Sequence, residues 1–113
     1  MIESEPKNRR RSQRVTLQIA VLIRSTLIDG RSVQVQAFTL VASAHGGLLE
    51  SPMKLSVNQT IQLINPHSGK AVSCRVVRVE GSATTSYEVS FEFDCPSPLF
   101  WPLNFPPEDW ATA

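Results

Sequence analysis

At 113 residues and 42% apolar content, the chain has the size of one domain and enough core-forming side chains for a soluble fold. Its formal charge of +1 hides an asymmetry: residues 1–14 carry Lys7, Arg9, Arg10, Arg11 and Arg14 against Glu3 and Glu5, while the rest carries six basic and eight acidic groups. Apolar runs fall well short of the ~20 residues of a membrane-spanning helix and the first residues are charged where a secretory signal is apolar, so no membrane insertion is expected and the cytoplasm is the expected setting.

In chain order, residues 1–14 read as a flexible basic arm in which Arg10 and Arg14 form R-x-x-x-R. From Val15 to Ile23 apolar residues fall on odd positions, the period of a strand with one buried face. Asp29-Gly30 marks a turn. A second strand runs from Val33 to about Val41, with a phase change between Val35 and Phe38 of the kind a β-bulge produces. On the phase set by Phe38, Leu40 faces the core and Val41 faces outward. SAHGG (43–47) follows, then a short apolar piece, Leu48-Leu49, and a loop at Pro52.

Thr60–Ile64 reads as a strand, and Asn65–Lys70 as the turn that closes its hairpin with Ala71–Glu80. The latter strand shifts phase from Val72, Cys74 and Val76 to Val77 and Val79. Tyr87, Val89, Phe91 and Phe93 alternate cleanly in the last strand. About six short strands with no helical period predict an all-β fold over 15–96, an antiparallel barrel or sandwich. Cys74 and Cys95 belong to no Cys-x-x-Cys pair and read as small core residues of a reducing compartment.

Residues 97–113 differ in character. They hold Phe100, Trp101, Phe105 and Trp110, half of the chain's aromatics, among four prolines, which excludes a central strand. Such a segment either packs on the barrel, burying Trp101 and Phe105, or docks a partner protein.

Catalysis has little support. His45 and His67 lie in turn-like segments without a second His or Cys at metal-ligand spacing, and Ser43 is not in a nucleophile elbow, so neither enzyme nor metal site is expected. Anion recognition has more. The planar guanidinium forks of Arg10 and Arg14 match phosphate oxygens, with Arg9 and Arg11 adding positive potential. Ser43 and Gly46 supply a hydroxyl and a residue without a side chain after the second strand. Nucleic acid is disfavoured, because the aromatics that would stack on bases cluster at the other terminus.

In that order and context, Arg10-x-x-x-Arg14 and Ser43-x-x-Gly46 resemble the signature of the PilZ domain, R-x-x-x-R followed by [D/N]-x-S-x-x-G. The resemblance runs over roughly residues 9 to 95, including Arg78-Val79-Glu80 and Tyr87–Phe93. It implies a small six-stranded β-barrel that binds the bacterial second messenger cyclic di-GMP, with no cofactor. The implied ligand residues are Arg10, Arg14, Ser43 and Gly46, with Arg9 and Arg11 beside them. Val41 stands where the family has Asp or Asn, a side chain that bonds a guanine edge. The resemblance also implies a switch, in which the arm orders on its ligand and the signal passes to a protein partner. An alternative is a PilZ-like adaptor that no longer binds nucleotide.

Overall fold

Period-two sequence produces strands, and antiparallel pairing closes them on themselves. The computed structural model describes residues 12–26, 29–81, 86–103 and 106–112. Its strands are β1 (Val15–Thr16), β2 (Ala20–Thr26), β3 (Ser32–Ser43), β4 (Gly46–Ser51), β5 (Thr60–Ile64), β6 (Ala71–Gly81) and β7 (Tyr87–Phe93). The sheet runs β3-β2-β5-β6-β7-β4, and β4 pairs back onto β3, so six antiparallel strands form a closed barrel. The seventh, β1, extends the line of β2 along β3 through Val15↔Ala42 and Thr16↔Val41. Closure leaves the barrel strands few unpaired edges, which suits a small all-β domain.

Where one strand was expected over Val15–Ile23, the ladder breaks at Leu17–Ile19. Thr39 on β3 fills the break. Its buried hydroxyl donates to the Leu17 carbonyl (2.5 Å) and accepts the Ile19 N–H (3.0 Å), taking up two backbone groups that would otherwise lack partners. The odd-residue phase survives the interruption: Val21, Ile23 and Ser25 are buried, and Leu17 and Ile19 pack against the core.

In β3 the predicted phase change lies in the wrong place. Ala37 and Thr39 are buried on the same phase as Val33 and Val35, and Phe38 is 52% exposed. The shift comes at Leu40, where the register against β4 slips between Thr39 and Val41 and turns Ala42 inward. A hydrophobic count mistook Phe38 for core because burial selected the smaller Ala37 and the satisfied hydroxyl of Thr39. In β6 the shift falls where predicted, with a slip between Val76 and Arg78 that leaves Val77 at the bulge, 45% exposed.

Asn65 ends β5 and anchors the hairpin turn. Its side chain accepts the His67 N–H (2.9 Å) and donates to the Phe100 carbonyl (3.4 Å), so the turn also holds the C-terminal segment. Cys74 is core, as expected, but Cys95 is exposed: it lies beyond the end of β7, where the inward face has run out. The segment after it makes two short 3-10 turns, Pro98–Phe100 and Glu108–Thr112. Phe100 and Trp101 pack on the inward rings of Phe91 and Phe93, with centroids 5.8–6.3 Å apart, and edge-to-face on each other at 5.1 Å. Trp110 is also buried, while Phe105 lies outside the described residues.

Candidate functional site

The hairpin between β3 and β4 is Ser43-Ala44-His45-Gly46. The Ser43 hydroxyl accepts the His45 N–H and donates to the Gly46 carbonyl, both at 3.3 Å, so it closes its own turn. Three successive carbonyls of this turn are taken on the core side. Ser43 accepts the Trp101 indole N–H (2.7 Å), Ala44 the Ser97 N–H (2.9 Å) and His45 the Phe93 N–H (2.8 Å). The two glycines have a packing reason: a Cβ on Gly46 would lie 2.1 Å from the Phe91 carbonyl oxygen, and one on Gly47 2.4 Å from that of Val41. Backbone crosses backbone here, and only glycine permits the approach.

Ser12 and Gln13, at the described end of the arginine loop, are fastened to the same place. Ser12 is buried, its Oγ accepting the Ala44 N–H (3.1 Å) and meeting His45 Nδ1 at 3.0 Å. Gln13 is gripped by the last 3-10 turn: its N–H donates to Asp109 Oδ2 and its carbonyl accepts the Trp110 indole N–H, each at 2.8 Å. These bonds set the path of the chain into Arg14.

Between the loop and the hairpin lies a cleft of about 240 Å³. Val41, Leu48 and Val77 make an apolar wall, and Arg14, Ser43, His45, Ser90 and Glu92 bring polar groups to it. Small-molecule sites run to about 300–1,000 Å³, and this cleft is somewhat smaller. Arg14 is exposed, and its guanidinium has no hydrogen-bond or ion-pair partner among the described residues. The Glu92 carboxylate is bridged by Arg75 (2.8 Å), which offsets its repulsion toward an anion. Positive potential at the mouth over an apolar wall suits a ligand that joins phosphate to a flat ring.

Of the residues singled out in the sequence, Arg14, Val41, Ser43 and Gly46 meet at this cleft. Val41 does face outward, but because of the slip at Leu40 rather than the phase of Phe38. Arg9, Arg10 and Arg11 lie outside the described residues. Sequence reasoning passed over Ser12, Glu92 and Val77, and considered His45 only as a metal ligand or catalyst. The available signals were the position of Ser12 inside R-x-x-x-R and of His45 inside S-x-x-G. Among the described residues no group of three or more side chains could hold a metal ion, and no helix is long and apolar enough to cross a membrane.

Residues 8–98 match the sequence profile of the PilZ domain. The chain belongs to the PilZ domain family. A search of curated proteins returns no match. PilZ domains are binding and adaptor domains that serve as cyclic di-GMP receptors, and the closed six-stranded barrel agrees with a PilZ fold. In this PilZ domain Ser12 and Arg14 from the first motif and the Ser43–Gly46 turn of the second border one cleft, joined directly through the Ser12 hydroxyl.

Proposed function

We propose that this PilZ domain binds cyclic di-GMP and passes the signal to a protein partner. The observation that carries the reading is Arg14, a guanidinium without a partner among the described residues, at the mouth of the cleft built by the S-x-x-G hairpin. Arg10 and Arg14 act as the clamps, each giving a forked, charge-assisted contact to phosphate or guanine. Arg9 and Arg11 strengthen the local potential. Ser43 and Gly46 hold the hairpin in shape beneath the ligand, and Val41 offers an apolar contact where the family presents Asp or Asn. Binding orders the arginine arm on the ligand and so changes the surface next to the cleft, which a partner reads. Isothermal calorimetry with cyclic di-GMP tests this. Saturable binding is expected, weakened more than about tenfold by Arg10→Ala or Arg14→Ala and less by Arg9→Ala. No heat and no chemical-shift change at high micromolar ligand sinks the receptor reading.

A second reading is favoured by the apolar wall of Val41, Leu48 and Val77. In it the chain is a protein–protein adaptor that has lost its nucleotide. Absence of ligand binding, together with retention of a cellular partner, supports it.

A further inference from the structure

We infer that His45 is an additional ligand-binding residue, presenting an Nε2–H donor to the cleft that takes an acceptor of the bound nucleotide. The inference rests on the receptor reading and adds to it a contact from inside the S-x-x-G turn. It follows from hydrogen-bond accounting at Ser12. The Ser12 hydroxyl is buried, and its oxygen meets two nitrogens, the Ala44 backbone N at 3.1 Å and His45 Nδ1 at 3.0 Å. The Ala44 N–H can only donate, so it occupies a lone pair of Ser12 Oγ. The hydroxyl has one proton to place. Among the described residues His45 Nδ1 is the one acceptor within reach of it. Were Nδ1 protonated instead, the hydroxyl would accept twice and bury its own proton without a partner, at the full desolvation penalty. Nδ1 therefore accepts, and the neutral imidazole carries its proton on Nε2.

His45 is half-buried and lines the same cleft as Arg14 and Ser43. Its Nε2 has no hydrogen-bond partner among the described residues. A fixed ring with a free N–H at a cleft wall is a preorganised donor. It suits a phosphate oxygen or the O6 and N7 atoms of guanine, all acceptors, and cannot pair with the N–H edge of the base. It differs from Arg14, whose guanidinium has no partner among the described residues, in being held by its neighbours before ligand arrives.

Long-range ¹⁵N–¹H spectra of the full chain at neutral pH read the tautomer directly. The Nε2–H form is expected, and a dominant Nδ1–H form overturns the inference. Two variants then test the contact by calorimetry with cyclic di-GMP. The amide oxygen of His45→Asn falls near Nδ1 and still accepts from Ser12, but the donor is lost, so affinity should fall about five- to tenfold. The amide nitrogen of His45→Gln falls near Nε2 and should keep affinity within about threefold. Unchanged affinity in His45→Asn, with wild-type binding intact, overturns this inference and leaves the receptor reading standing. No binding by the wild type ends both. A ³¹P shift that differs between the wild-type and His45→Asn complexes assigns the acceptor to phosphate; an unchanged one assigns it to guanine.

Discussion

Val41 and Cys74 show how one side chain's surroundings decide its chemistry. Val41 borders the cleft with its methyl groups, and a polar ligand edge facing it goes unpaired. Because Ala42, not Val41, enters the core, Val41→Asn should leave the barrel intact. It should gain about 1 kcal/mol, or about fivefold in cyclic di-GMP affinity, by calorimetry. No gain, with melting unchanged, would mean that no polar edge of the ligand lies against this position. Cys74 lies inside the barrel, where burial, reinforced by the Asp94 carboxylate and opposed by a backbone hydrogen bond at Leu63, pushes its thiol up from 9.0 to about 12. Between those values the unfolded chain loses a proton that the folded one keeps. This group's contribution to stability is therefore full below pH 9 and is lost as pH rises toward 12. Denaturation midpoints should fall across that window in the wild type and fall less in Cys74→Ala. At neutral pH a maleimide should label exposed Cys95 in the native protein and Cys74 only after unfolding.

The element that most depends on a single bond pattern is the joint between β1 and β2. Leu17–Ile19 leaves the ladder, and Thr39 on the facing strand serves both sides of the gap. Thr39→Val keeps the volume and removes both bonds, stranding the Leu17 carbonyl and the Ile19 N–H. The expected cost is about 1–3 kcal/mol per stranded group, seen as a lower urea midpoint at an unchanged slope. An unchanged midpoint would show that water serves the gap equally well. The same joint carries Arg14 toward the cleft, one residue before β1 begins. The period of the sequence identified both strands. It contained no sign of the gap, because a threonine on an inward position reads as a mild exception to the pattern.

On the scale of the molecule, the C-terminal segment belongs to the fold as much as any strand. Phe100, Trp101 and Trp110 join the core, and Trp101, Asp109 and Trp110 bond to the two backbone segments that flank the cleft. Deleting residues 97–113 should uncover Phe91 and Phe93 and lower the melting temperature by more than about 5 °C, given the few kcal/mol that each large buried aromatic contributes. It should also weaken cyclic di-GMP binding, because Gln13 loses both of its clamps. A truncated chain that melts and binds like the parent would show that the segment serves only partners.

By itself, the sequence determined the all-β class, the turns at Asp29-Gly30 and Asn65–Lys70, the slip in β6 and the order of the two signature motifs. These are local properties, written in period-two alternation, in glycine and turn chemistry, and in spacing along the chain. Tertiary structure alone decided where β3 slips, because Phe38 and Ala37 compete for the interior and size and register settle it. It decided that Cys95 is exposed, and that the tail reaches back more than ninety residues to grip Gln13. It also decided that the Ala44 N–H and the His45 ring meet at the one buried hydroxyl of Ser12. The partners of a buried polar group come from wherever closure of the barrel brings them, and no spacing rule encodes that distance.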